Sequence, residues 1–242
     1  MAPKYLYKFY PEFINLNDKS SFFDFEDFPK VRFTQFNNLN DPFEMLPPNF
    51  DEIAPGFGKT IQGLASVNRG ILCLSEDKRN LLMWAHYAHM HSGFAIEFDT
   101  ENEFFRMQHD VFGNPIGSNP SATGVWRHEG VLLKVNYSDT RPEIVLSEMG
   151  SGFDTLLTSK STHWAYEKEY RMMRKLHGHY GDDNRLCLFN LPGGAISKII
   201  LGVNASLGLE ASAKNFCKRL NLPLEVAKLR SDTFNLNFSD VI

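Results

Sequence analysis

Aromatic residues recur at every other position over residues 4–9, and apolar and polar residues alternate again over residues 31–34. A period of two is the mark of a half-buried strand, so each run predicts one. Residues 71–74 form an apolar run that ends at Ser75. Asp77 is then placed to cap a helix predicted from about residue 78 to residue 90. Ser92-Gly93 ends that helix, and residues 94–99 return to alternation as a strand. The same reading predicts strands at 131–137, 164–173, 186–191, 196–201 and 224–229. Helices are predicted near 143–158 and at 207–220, the latter between the last two strands.

Other stretches lack periodicity. A short helix is predicted around residues 20–28, and Asn37-Asn38-Leu39-Asn40-Asp41-Pro42-Phe43-Glu44 favours turns that build a shaped loop. Residues 47–58 and 113–124, rich in Gly, Pro and polar residues, read as surface loops. Strands outnumber helices and few strand-helix-strand units recur. An α+β fold in a single domain over residues 1–242 is therefore expected, rather than a doubly wound parallel sheet.

Composition adds that a sizeable core is available: the chain is 43% hydrophobic and 22% charged. Its 21 Phe crowd toward the first third, as expected of an aromatic core or a partner surface. The net charge of −4 provides no general attraction to nucleic acid. Lys168, Arg171, Arg174 and Lys175 read as a solvated edge. The N-terminal residues lack the apolar stretch of a secretory signal and no later stretch is long enough to span a bilayer, so a cytoplasmic location without a membrane partner is expected. Cys73, Cys187 and Cys217 are widely spaced and odd in number, which predicts reduced, mostly buried thiols with no metal-site or disulfide pattern.

Within the strand predicted at 164–173, alternation puts Glu167, Glu169 and Arg171 on one face and Trp164, Tyr166, Tyr170 and Met172 on the other. Two carboxylates one strand step apart repel, and partial burial would raise the proton affinity of one of them, as acid-base or cation-stabilising chemistry requires. The same pattern also describes a wet strand face on which Arg171 balances charge. His86, His89 and His91 lie close together but lack the companions of a metal motif, so the bland reading is a surface role. Ser75 lacks the Gly-x-Ser-x-Gly setting of a hydrolase nucleophile. Asp41, Glu44, Glu167 and Glu169 could supply the carboxylates of a metal-dependent nuclease, although Asp41-Pro42 is equally a turn. No phosphate loop or dinucleotide fingerprint is present.

Several blocks carry a resemblance: Leu6-Tyr7-Lys8-Phe9, Arg32-Phe33-Thr34, Asn40-Asp41-Pro42-Phe43-Glu44, Cys73-Leu74-Ser75-Glu76, Met83-Trp84-Ala85-His86-Tyr87-Ala88, Gly93-Phe94-Ala95-Ile96-Glu97-Phe98-Asp99 and Trp164-Ala165-Tyr166-Glu167-Lys168-Glu169-Tyr170-Arg171. In this order they resemble a widespread bacterial domain of unknown function. Their order also resembles the ADP-ribosyltransferase superfamily, with Lys8 where that superfamily usually has His or Arg, Ser75 at the serine-containing corner and Glu167-x-Glu169 as the late acidic motif. The resemblance implies split antiparallel β-sheets flanked by helices, with NAD as a consumed substrate. It implies Glu169, Glu167 and Ser75 as catalytic residues, and Tyr7, Lys8, Arg32, Asp41, Phe43, His86 and Tyr87 as NAD-binding ones. It further implies a protein or nucleic-acid acceptor, as for an intracellular toxin or defence effector, and a possible antitoxin or regulatory partner. The alternatives are the metal-dependent nuclease and a non-catalytic binding module.

Overall fold

The structure, a computed structural model, describes residues 2–13, 22–24, 28–48, 54–106, 108–109, 115–117, 130–144, 149–176 and 187–241. In chain order the regular elements are β1 (Tyr5–Tyr10), β2 (Lys30–Gln35), α1 (Phe57–Asn68), β3 (Arg69–Ser75), α2 (Leu81–Tyr87), β4 (Phe94–Asp99), β5 (Gln108–His109), β6 (Pro115–Gly117), β7 (Leu132–Lys134) and β8 (Asn136–Tyr137). They continue with α3 (Met149–Thr158), β9 (Ser159–Lys160), β10 (Glu169–Lys175), β11 (Cys187–Asn190), β12 (Ile196–Leu201), α4 (Leu207–Leu220), β13 (Leu224–Leu229) and β14 (Leu236–Asp240). Short 3-10 turns cover Phe22–Asp24, Phe36–Asn38, Glu103–Phe105 and Thr162–Glu167. The result is the expected α+β class, a large and mostly antiparallel sheet flanked by helices.

The sheet divides at β3. One edge of β3 is paired with β10 along its whole length, from Glu169 opposite Ser75 to Lys175 opposite Arg69. The other edge is shared: Tyr7 of β1 lies opposite Ser75, while Thr34 and Gln35 of β2 lie opposite Ile71 and Gly70. Residues 72–74 face neither strand there, so β1 and β2 diverge. From β1 the sheet runs on through β4, β12, β13 and β14, and from β2 it runs to β11. The β12 and β13 pairing is parallel, with α4 as the crossover predicted from the sequence.

Both faces of the central strands are covered. One carries Leu6, Tyr10, Leu72, Leu74 and Met172 into a core with Phe22, Phe23, Phe94 and Phe216. On the other face, Tyr7, Phe9 and Ala95 lie under Met83, Trp84 and Ala88, and Ile71 and Met173 lie under Leu156, Leu157 and Ala65. The Phe-rich early sequence therefore serves mainly the core, although Phe28 is exposed.

Several expectations need correction. Arg171 and Arg174 are not at a solvated edge but are fully buried: Arg171 joins an ion cluster, and the Arg174 guanidinium lies 4.0 Å from the ring centroid of Phe104. Lys168 and Lys175 do remain exposed. The strand predicted from 164 begins only at Glu169, because Lys168 takes a left-handed conformation (φ 46°) that ends the preceding 3-10 turn. The α2 cap is Asn80 rather than Asp77, its side chain accepting from the backbone N–H groups of Leu82 and Met83. This helix stops at Tyr87 because His89, Met90 and His91 turn left-handed while the His91 carbonyl accepts from Asn204 N at 3.0 Å. Part of the loop expected at 47–58 already belongs to α1, and residues 49–53 lie outside the described residues. Of the helix expected at 20–28 only the 3-10 turn at Phe22–Asp24 is described, and of the loop expected at 113–124 only β6. The strand predicted at 131–137 is two short strands, β7 and β8, and the helix expected near 143–158 is described as α3 from Met149. Among the described residues no helix is long and apolar enough to cross a membrane.

Two glycines test these contacts by urea unfolding. A Cβ on Gly93 would lie 2.0 Å from the Tyr10 carbonyl oxygen, whereas one on Gly63 in α1 meets nothing within 4 Å. Gly93→Ala is expected to destabilise by about 3 kcal/mol or more, and Gly63→Ala to stabilise by roughly 0.5–1 kcal/mol through helix propensity.

Candidate active site

Where the sheet divides, a cavity of about 250 Å³ opens, lined among others by Tyr7, Lys8, Cys73, Ser75, Tyr87, Glu167 and Glu169. Its wall is built on a corner that aligns three consecutive peptide carbonyls. The Asn80 side-chain amide donates to the Tyr166 carbonyl at 2.5 Å, Ser75 Oγ to that of Glu167 at 2.7 Å, and the Glu76 backbone N–H to that of Lys168 at 3.1 Å. Tyr137 then accepts from Glu169 N at 2.9 Å as β10 begins. Thus Ser75 fixes the peptide between the two acids and does not touch either carboxylate. Glu167 comes to the site from the 3-10 turn and Glu169 from the strand, so they converge without sharing a strand face.

The acids are not wet. Glu44, Glu167 and Glu169 are all buried and surround two buried cations. Lys160 Nζ lies 2.9 Å from Glu44, 2.6 Å from Glu167 and 3.3 Å from Glu169. Arg171 grips Glu169 with two parallel bonds of 2.8 Å, donates to the Leu157 carbonyl at 2.9 Å and lies 2.5 Å from Glu44. Both Glu44 contacts are ionic, without the alignment of a hydrogen bond. Tyr87 donates to Glu167 and accepts from Asn40 at 2.8 Å.

This environment drives the two neighbouring acids apart. Burial alone would raise the proton affinity of Glu169, but Arg171 and Lys160 overcome it and hold the carboxyl down at about 2. Burial likewise raises Glu167, and here the Glu169 charge adds to the rise against the pull of Lys160. Burial opposes the charge on Lys160, yet its carboxylate neighbours raise its proton affinity. The Cys73 thiol lines the same cavity, and burial, with the Glu169 charge adding to it, pushes that thiol up. Lys8 reaches the Cys73 carbonyl at 3.4 Å across the open edge of β3, and burial lowers its proton affinity.

Not every residue expected at the site meets it. Tyr7, Lys8, Ser75, Tyr87, Glu167 and Glu169 converge on the first cavity. Asp41 and Phe43 line a second cavity of about 200 Å³, separated from the first by Glu44 and Lys160. There Asp41 accepts from Phe43 N at 3.0 Å, the turn its sequence suggested. Arg32 lines neither cavity, and exposed His86 holds the Tyr166 hydroxyl at 2.9 Å from outside. Lys160 carried no sequence signal. Arg171 and Glu44 were visible only as a balancing charge and a spare carboxylate. Among the described residues no three His, Cys, Asp or Glu could hold a metal ion; of the carboxylates a nuclease would use, Glu44, Glu167 and Glu169 contact Lys160 or Arg171, and Asp41 lines the second cavity.

Residues 83–172 match the model of a family described as a protein of unknown function, DUF2971. That segment encloses Tyr87, Lys160, Glu167, Glu169 and Arg171, while Tyr7, Lys8, Glu44 and Ser75 lie outside it. No curated protein and no solved structure matches the chain.

Arg171→Met leaves Glu169 and Glu44 buried on Lys160 alone and is expected to cost roughly 3–5 kcal/mol in denaturant unfolding. The folded-state value of Glu169 lies below its ordinary 4.5, so its stabilisation is complete above that value and is lost as pH falls toward about 2. Unfolding midpoints followed over that window should fall more steeply for the native chain than for Glu169→Gln. Parallel slopes would contradict an ionised, paired Glu169.

Proposed function

We propose that this protein is an ADP-ribosyltransferase-like enzyme that consumes NAD and transfers ADP-ribose to a macromolecular acceptor, protein or nucleic acid. The reading is carried by one observation: Glu167 and Glu169 share Lys160 at the edge of the cavity where the sheet divides, with proton affinities displaced in opposite directions. The order of the Lys8, Ser75 and Glu167-x-Glu169 blocks supports it.

Breaking the bond between nicotinamide and ribose develops positive charge on the ribose ring. A carboxylate that stays ionised in a dry site stabilises that charge without reorganising, and Glu169 meets the requirement. Its carboxylate accepts from Arg171 and Lys160. Glu167, with its raised proton affinity, is suited to take the proton of the attacking acceptor group. Tyr7 and Tyr87 line the cavity in which nicotinamide would sit, and Lys8 offers it a cation.

Incubation with NAD and cell lysate should release nicotinamide and label an acceptor. Glu169→Gln should reduce both by about 10²–10³-fold, while Glu167→Gln should reduce acceptor labelling by about 10²-fold or more and spare part of the nicotinamide release. With folding verified by circular dichroism, the absence of nicotinamide release from the native chain across a range of lysates and pH would overturn the reading.

A further inference from the structure

The cluster holds three carboxylates, Glu44, Glu167 and Glu169, against two cations, Lys160 and Arg171. Arg171 is committed to Glu169 and Glu44. Lys160 is the cation that touches all three acids, and it stands with Glu44 in the wall common to both cavities.

We propose that Lys160 is the positioning residue of this site, and that the balance it strikes with Glu44 sets the protonation of Glu167. The charges leave one carboxylate in surplus, and Glu167 is where the surplus resides. Glu169 has two bonds to Arg171, whereas Glu167 has the Lys160 ammonium and the neutral Tyr87 hydroxyl. From the remaining elements, β8 brings Tyr137, whose hydroxyl accepts from the Glu169 backbone N–H and which also interacts with Glu167, β3 brings Cys73 near Glu169, and β1 brings Lys8, whose charge acts on Glu169. His86 of α2 bonds the hydroxyl of Tyr166, a neutral group that interacts with Glu167, and sets its ring edge against Tyr87. None of these supplies a second countercharge to Glu167. Glu44 thereby acquires a role at a distance: it competes for Lys160 from the side of the second cavity. The catalytic meaning of this balance rests on the proposed NAD reaction, but the balance itself is a property of the free protein.

The test is a titration without NAD. Carbon-13-labelled glutamate carboxyls are followed by NMR, with Glu167 assigned from its loss in Glu167→Gln. Lys160→Met leaves three acids on one cation and should move the Glu167 midpoint upward by about one to three pH units. Glu44→Gln leaves two acids on two cations and should move it downward. The double variant restores a surplus of one and should return it toward the native value, and Lys160→Arg should hold it there. A purely structural Lys160 gives no such opposed signs and no rescue. An unmoved midpoint in either single variant, or a shift in the same direction in both, overturns the proposal. If Lys160→Met does not fold, Glu44→Gln decides it alone by the direction of its shift. A correct titration with no nicotinamide release would instead sink the NAD reading and leave this one standing.

Discussion

The buried contact of Glu169 with Arg171, closed by Lys160, is the constraint on which the rest of the site depends. Charges removed from water are costly unless each meets its opposite at hydrogen-bonding distance. Here that requirement draws together β10, β9, the turn carrying Glu44 and the 3-10 turn carrying Glu167. A hydrophobic contact tolerates small displacements, but a guanidinium bound through two parallel bonds fixes both position and orientation. The ion cluster therefore gives geometrical definition to a region whose local elements are short.

The cavity arises from an interruption of pairing. On one edge, β3 changes partner from β2 to β1, and the residues between form ladder bonds with neither strand. An open stretch of sheet edge carries unsatisfied backbone groups, and Lys8 answers one of them by donating to the Cys73 carbonyl. The opposite edge remains closed by β10, so the divergence has a rigid floor. Glu169 enters at the same register position as Ser75 and Tyr7, which ties the acid to the point where the two halves of the sheet meet.

The corner from Ser75 to Asn80 connects fold and chemistry. It ends β3, caps α2 and supplies the donors for three successive carbonyls around Lys168. Lys168 can hold its left-handed conformation because these bonds, together with its ion pair to Asp77, fix its neighbours. The packing of α2 through Met83 and Trp84 then brings Tyr87 to Glu167, so a core contact and a site contact come from one short helix.

Periodicity alone determined the α+β class, the positions of most strands and the bounds of α4, because alternation and helical spacing are local consequences of burying one face. Turn chemistry likewise marked the loop from Asn37 to Glu44, since Asn, Asp and Pro act on their own backbone. The pair Glu167 and Glu169 was legible as chemistry, but its burial was not: the same spacing suits a wet strand face. Only the tertiary structure decided that β10 is covered on both sides, that Arg171 is a buried counterion and that Lys160 and Glu44 complete the cluster. Glu44 lies far from the others along the chain, Lys160 sits on a separate short strand before the 3-10 turn, and no local rule records which charges will meet. Whether a carboxylate is ionised, protonated or merely solvated depends on neighbours supplied by other elements. The sequence named the acids, and the fold chose their environment.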